Sequence, residues 1–344
     1  LFWRIARPAH RSPFRRVAQP VSVAERDVTA SGTTLRVREY RPLSHAATIL
    51  LNGGFVVESI DDARLINFAM ALAEIGFLVM TPDYPAVRSL EFDPKTIDQI
   101  AGVIARLDQS ATQGGRTPLA VLGLSYMGTL SLKAALRPEL PYSPELVAVL
   151  GGYADFGDLM HDVFRDVYRT DGVKVHVDPY GRFLVLRSAI GYLDAPPAER
   201  ERIREILLAM GRQLDSTGVE RAVQALSPEG AACVEALRRF HPDRQTQQWR
   251  RIMEGSRELI EALSVTESPE RLRSRLMILH SVYDHILPCS GSIALYRRFP
   301  TADLVLTTLF THVNVRFSPR ALWTQIRELR ALFRMFGRII ALQG

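Results

Sequence analysis

The sequence has few cysteines, no long apolar run and no metal-binding motif. Its two cysteines, Cys233 and Cys289, are too few for a disulfide framework, which favours free thiols and a reducing compartment such as the cytoplasm. No apolar stretch is long enough to span a bilayer. The spacings C-x-x-C and H-E-x-x-H are both absent, so we expect neither a metal nor an organic cofactor.

Positive charge is concentrated towards the ends of the 344-residue chain, whose net charge is +6. Residues 1–16 contain five arginines and no acid, and the chain begins with Leu1, as expected of a fragment, a processed product or a chain that starts from an unusual codon. Residues 1–20 are therefore interpreted as a basic, disordered tail, with peripheral contact to a membrane or the remnant of a targeting sequence as alternatives. No nucleic-acid-binding motif accompanies the charge, so a nucleic-acid partner is not expected.

Apolar patterns predict strands and helices that alternate along most of the chain. The turn signal Ser31-Gly32 separates two strands that we expect to form an N-terminal hairpin. Strands are expected at 21–29, 33–40, 47–51, 77–80, 119–122, 146–150, 276–279 and 304–309, and helices at 61–75, 94–107, 129–136 and 319–341. Short connections between these segments indicate a mostly parallel sheet with helices on both faces.

The alternating pattern lapses between the sixth and seventh strands. Residues 153–271 are charged, are interrupted by prolines and contain no clear buried strand. The best helical patterns there are 199–210, 229–240 and 249–263. We interpret the region as an inserted, mainly helical subdomain.

A serine follows the fifth predicted strand in the stretch Leu-Ala-Val-Leu-Gly-Leu-Ser-Tyr-Met-Gly, residues 119–128. Gly123 ends the strand, Ser125 comes two residues later, and a helix is predicted after it. Such a turn exposes the serine hydroxyl and places the N–H of the next residue, Tyr126, at a helix N-terminus where it can stabilise an oxyanion. This arrangement is typical of a nucleophilic serine.

From about residue 21 to its end, the chain resembles the α/β-hydrolase superfamily. The resemblance implies an α/β fold with a mostly parallel eight-stranded sheet, helices on both faces and a cap inserted after the sixth strand. The expected division is a tail over 1–20, a core over 21–152, a cap over 153–271 and the rest of the core over 272–344. A cap at this point of the chain is expected to cover the serine as a lid.

The resemblance also implies a catalytic triad, which in this superfamily runs in the order serine, acid, histidine. Ser125, Asp284 and His312 follow the fifth, seventh and eighth predicted strands. Asp155, just past the sixth strand, is the rival acid.

The Asn-Gly-Gly-Phe turn at 52–55 resembles the superfamily's His-Gly turn. It implies an oxyanion hole formed by the N–H of Tyr126 and that of Gly54 or Phe55.

Met127 departs from the superfamily's G-x-S-x-G pattern, in which a glycine stands two residues after the serine. The helix after the serine packs tightly on the sheet in this fold. We therefore expect Gly128 or Ala135 to lie at the close contact.

The predicted function is that of an enzyme, a serine hydrolase that cleaves a carboxylic ester or a related acyl compound of small size. A peptidase, an amidase or an acyltransferase with the same triad is an alternative, since fold and triad do not decide among them. A non-catalytic relative that binds a partner is the alternative from another class, and Met127 is its best support.

Overall fold

The computed structural model describes residues 19–111, 117–170, 172–212, 216–312 and 322–343. Apart from its last two residues, the basic tail lies outside the described part of the chain. The chain divides into two compact units. The first comprises the described residues of Leu1–Ala154, Val265–Tyr283 and Cys289–Gly344, and the second those of Asp155–Ser264 and Asp284–Pro288.

The first unit is built around an eight-stranded sheet, as predicted. Its strands are β1 (Val21–Ala30), β2 (Thr33–Pro42), β3 (Ala47–Asn52), β4 (Phe77–Pro82), β5 (Leu119–Leu124), β6 (Leu146–Leu150), β9 (Arg275–Ser281) and β10 (Asp303–Thr307). The order across the sheet is β1-β2-β4-β3-β5-β6-β9-β10. Only β2 runs against its neighbours, and the other pairs are parallel. The predicted mostly parallel sheet is therefore confirmed.

Burial explains why the central strands read as continuous apolar runs. All six residues of β3 and all six of β4 are buried, which requires cover on both faces of the sheet. Strand β1 lies at the edge and is mostly exposed, in keeping with its three consecutive charged residues, Glu25, Arg26 and Asp27.

Helices cover both faces of this sheet, as predicted. In the first unit they are α1 (Ala63–Glu74), α2 (Pro85–Arg88), α3 (Lys95–Ala111), α4 (Tyr126–Ala135), α12 (Ser290–Arg298) and α13 (Leu322–Ile340). Helices α1 and α13 pack on one face, where Phe68 and Met335 join side chains such as Ile49 in a single apolar cluster. Helices α4 and α12 pack on the other, where Leu132 and Leu295 meet alternate residues of β6 and β9.

The second unit is mainly helical and also contains a small sheet. Its helices are α5 (Phe156–Asp162), α6 (Pro179–Ser188), α7 (Arg200–Gly211), α8 (Ser216–Gln224), α9 (Pro228–Arg238), α10 (Thr246–Gly255) and α11 (Arg257–Leu263). The rings of Phe164, Phe240 and Trp249 pack together in its interior, with centroids 5.3–6.4 Å apart. The helix predicted at 249–263 is two helices that meet at Ser256.

The inserted region also contains two short strands, which no pattern in the sequence predicted. Strands β7 (Val167–Thr170) and β8 (Val173–His176) form an antiparallel hairpin. Each is only four residues long, and only Tyr168 and Val175 are buried, so the strands carry too few apolar residues to produce a recognisable pattern. That this unit covers Ser125 stays a prediction.

Candidate active site

Ser125 occupies a strained turn between strand β5 and helix α4. Its backbone angles are φ 56° and ψ −134°, a conformation that costs a non-glycine residue about 1–3 kcal/mol. The turn is held on both sides, because the N–H of Ser125 donates to Leu150 O at 2.7 Å and its carbonyl accepts from Gly128 N at 2.9 Å. A strained conformation that the surrounding sheet enforces is a mark of a functional residue.

Two glycines permit the close approach of the turn to the sheet. A Cβ at Gly123 would lie 2.4 Å from Met127 O and 2.6 Å from Gly128 Cα. A Cβ at Gly128 would lie 2.9 Å from Val149 Cγ1 and 3.1 Å from Gly123 O. The prediction that Gly128 lies at the close contact is therefore confirmed. Met127 is fully buried, so the sheet and α4 accommodate the larger residue.

We expect Gly128→Val to lower the free energy of unfolding by about 1–3 kcal/mol, because the added atoms overpack this contact. Thermal melting followed by circular dichroism measures the effect. Gly337→Val is the matched control, because nothing lies within 4 Å of a Cβ at Gly337, which is also helical. Equal changes in melting temperature in the two variants would contradict the packing argument.

The turn after β3 lies directly against Ser125. A Cβ at Gly54 would lie 3.1 Å from Ser125 Cβ and 3.3 Å from Leu124 O, so a larger residue there would press on the serine. The ring of Phe55 packs on that of Tyr126, with centroids 4.4 Å apart. Ser125 and the three predicted oxyanion-hole residues thus lie together in the first unit. Their role in holding an oxyanion stays a prediction.

A buried chain of hydrogen bonds links this turn to helix α4. Asn52, the first residue of the glycine turn, is fully buried and donates from Nδ2 to Ser131 Oγ at 2.8 Å. Ser131 Oγ in turn donates to Met127 O at 2.7 Å. Tyr84, which follows β4, donates from its hydroxyl to Asn52 Oδ1 at 2.9 Å. Burial raises the pKa of Tyr84 well above its ordinary value, so the hydroxyl stays a neutral donor.

Asn52→Leu is expected to lower the free energy of unfolding by about 2–4 kcal/mol. The variant leaves the buried hydroxyl of Tyr84 without its acceptor, which costs about 1–3 kcal/mol, and removes the hydrogen bond to Ser131 Oγ, which costs about 0.5–1.5 kcal/mol because Ser131 still donates to Met127 O. Urea denaturation measures the loss. Tyr84→Phe removes only one of the two hydrogen bonds, so it should cost less. A Tyr84→Phe variant that is less stable than Asn52→Leu would contradict this account.

His312 is half-buried and follows β10 in the first unit. Strand β10 pairs with the end of β9, and Ser281 Oγ donates to Phe310 O two residues before the histidine. Glu328 on α13 holds the other side of the segment, because its carboxylate accepts from Thr307 Oγ1 at 2.9 Å and Thr308 N at 2.7 Å. The backbone leading to His312 is thus fixed from two elements.

Asp284 follows β9 but belongs to the second unit. It is only 2% exposed, and its Oδ1 accepts hydrogen bonds from Ile286 N at 2.9 Å and Leu287 N at 2.8 Å. Its carbonyl accepts from the hydroxyl of Tyr168. The carboxylate is therefore held in one orientation by its own loop. Its pairing with His312 stays a prediction.

Asp155, the alternative candidate for the catalytic acid, has a structural role. It is exposed and stands at the N-cap of α5, where its carboxylate accepts from Asp158 N at 2.8 Å. A helix N-cap is a common position for aspartate and accounts for this residue without catalysis.

The side chains of Asn52, Tyr84 and Ser131 were not predicted as part of the site. The sequence pointed to Asn52 only as part of the turn whose backbone N–H groups are predicted to bind an oxyanion. No local pattern links it to Tyr84 and Ser131, which are 32 and 79 positions away.

Among the described residues, no three His, Cys, Asp or Glu side chains cluster as metal ligands would. No helix in the described ranges is both long enough and apolar enough to cross a membrane.

No protein-family model matches the sequence, and a search of curated proteins finds no match. Solved structures do match. Acylaminoacyl peptidase from Pyrococcus horikoshii superposes with a TM-score of 0.52 at 10% identity, over 96% of this chain and 43% of that one. This chain therefore spans less than half the length of the peptidase.

Two esterases match over most of their own length. Brefeldin A esterase, a bacterial homologue of human hormone-sensitive lipase, has a TM-score of 0.52 at 12% identity, over 98% of this chain and 80% of that one. An esterase from Pyrococcus furiosus has a TM-score of 0.50 at 10% identity, over 98% and 97% of the two chains. At these identities the likeness concerns the fold alone.

Proposed function

We propose, from the premise that this chain has the α/β-hydrolase fold, that it is a serine hydrolase acting on a carboxylic ester or a related acyl compound. The observation that carries the proposal is the strained turn at Ser125, with its φ of 56°, packed against the glycine turn at Gly54. A sheet that holds a serine in this conformation, beside backbone N–H groups, suits attack on a carbonyl carbon.

In the proposed reaction, Ser125 Oγ attacks the carbonyl carbon while His312 takes its proton. The carbonyl oxygen becomes negative and is held by the N–H of Tyr126 and that of Gly54 or Phe55. Asp284 orients His312 and stabilises its cation. His312 then donates the proton to the leaving alkoxide, and the same groups assist water in hydrolysing the acyl-enzyme. The mechanism uses no metal and no organic cofactor.

The burial of Met127 bears on the non-catalytic alternative. Met127 is fully buried, and Ser125 keeps its strained conformation beside it. The departure from the G-x-S-x-G pattern is therefore accommodated by packing and gives no support to a loss of catalysis.

Turnover of three compounds with one acyl group tests the reaction class. We expect 4-nitrophenyl butyrate to be hydrolysed faster than the matching thioester and the matching 4-nitroanilide, each measured against Ser125→Ala as background. Faster turnover of the anilide would favour the amidase alternative. No turnover of any of the three above background would contradict the proposal.

A further inference from the structure

Four aromatic rings from four separate segments meet beside Ser125. We call them the aromatic wall: Phe55, Phe92, Tyr126 and Tyr153. The ring of Tyr126 is central, with centroids 4.4 Å from Phe55, 5.3 Å from Phe92 and 6.0 Å from Tyr153. Phe55 and Phe92 stack at 5.3 Å with an interplanar angle of 28°.

The wall is not part of the packing on either sheet face described above. None of its rings belongs to the α1–α13 cluster or to the α4–α12 cluster. Tyr126 and Tyr153 are 4% and 2% exposed, whereas Phe55 and Phe92 keep part of their surface open. The wall thus has a buried base of tyrosines and an accessible edge of phenylalanines.

Two residues of the wall are next in sequence to residues that take part in the proposed mechanism. Tyr126 follows Ser125, and Phe55 follows Gly54, which packs on Ser125. A group attached to the carbonyl under attack would therefore lie near the residues that carry the rings of Tyr126 and Phe55, and the ring of Phe92 stacks on that of Phe55.

Hydrogen bonds fix the backbone that carries the rings. Tyr153 exchanges two hydrogen bonds with Thr129, because Thr129 Oγ1 donates to its carbonyl at 2.8 Å and its N–H donates to Thr129 Oγ1 at 2.9 Å. Asp93, next to Phe92, accepts from Lys95 N at 2.9 Å at the start of α3. A ring that stacks here finds its partners already in place, which lowers the entropy cost of binding.

The wall carries no net charge of its own. Burial and the nearby carboxylate of Asp93 raise the pKa of Tyr126 well above its ordinary value, so its hydroxyl stays neutral. The carboxylate of Asp93 places a negative charge near Tyr126, which disfavours an anionic group beside this ring.

From this arrangement we infer that the aromatic wall is a subsite for a neutral aryl ring of the substrate, carried close to the scissile carbonyl. The inference names a substrate class for the proposed hydrolase. Aromatic rings prefer offset or edge-to-face partners at about 4.5–7 Å, and Phe55 and Phe92 are the two rings of the wall that keep part of their surface open to such a partner.

Two pairs of esters test the subsite, each comparing an aromatic ring with a saturated ring of the same size. Methyl phenylacetate and methyl cyclohexylacetate vary the acyl side, while benzyl acetate and cyclohexylmethyl acetate vary the alcohol side. Calorimetry measures their binding to Ser125→Ala, which is expected not to turn them over. We expect the aryl member of at least one pair to bind about 2- to 10-fold tighter than its partner.

Phe55→Leu and Phe92→Leu, each added to Ser125→Ala, should bring that ratio close to one, because leucine is apolar but cannot stack. Phe333→Leu is the matched control, since Phe333 on α13 is 66% exposed and is not part of the wall. A circular dichroism melt confirms that each variant is folded. A ratio of one in both pairs before any change in the wall would overturn the inference, as would a ratio that neither wall variant alters.

The two proposals can fail separately. An aryl preference in binding without hydrolysis by the wild-type protein would keep the subsite and refute the hydrolase. Hydrolysis of these esters with equal kcat/KM within both pairs would keep the hydrolase and refute the subsite.

Discussion

Ser125→Ala is expected to lower kcat for an ester by about 10⁶-fold, and His312→Ala by about as much. In the proposed reaction the two residues act in one step, since the histidine has no proton to accept without the serine hydroxyl. The double variant should therefore be little slower than either single variant. Steady-state assays on the purified variants measure the three losses, and the remaining rate reflects the oxyanion hole and binding alone.

Ser22→Ala is a suitable control for this experiment. Ser22 is exposed on the edge strand β1, where its hydroxyl donates to the carbonyl of Arg41. The control should keep wild-type kcat. Losses of Ser125→Ala and His312→Ala that multiply in the double variant would show that the two residues do not act as one unit.

Asp284→Asn is expected to lower kcat by about 10⁴-fold, because the amide stabilises the wrong tautomer of His312. The loop strengthens this effect. Oδ1 of Asp284 already accepts from Ile286 N and Leu287 N, so an asparagine that keeps both bonds must turn its NH₂ to the other side. In the proposed triad, that NH₂ would donate where the imidazole N–H needs an acceptor.

Asp155→Asn is the matched control for the acid. It should change kcat little, since asparagine also serves as an N-cap for α5. The same steady-state assay measures kcat for both variants. An Asp155→Asn variant with a large loss, beside an Asp284→Asn variant with almost none, would mean that the acid is misassigned.

The main sheet was predictable because its strands lie between two layers of helices. Burial on both faces makes β3 and β4 continuous apolar runs, and the short connections between them and their helices restrict them to a parallel arrangement. The second unit was predicted less well. Helix α6 has no apolar stripe clear enough to reveal it, and the short strands β7 and β8 pair only with each other.

The same distinction applies to the site, where features set by the local sequence were predictable and features set by long-range contacts were not. The turn at Ser125 was predictable because a strand, a glycine, a serine and a helix follow each other directly. The hydrogen bonds of Asn52 with Tyr84 and Ser131, and the aromatic wall, were not. Their members come from separate segments, and only the strand order β4-β3-β5-β6 places those segments side by side.

The most direct test of the central claim is reaction of the full chain with a fluorophosphonate, followed by mass spectrometry of its peptides. A fluorophosphonate phosphonylates a serine hydroxyl that a neighbouring base activates, and ordinary serines react far more slowly. The account predicts one adduct per chain, on Ser125, and no adduct in His312→Ala. Absence of an adduct from the wild-type protein, or an adduct on another serine, would contradict it.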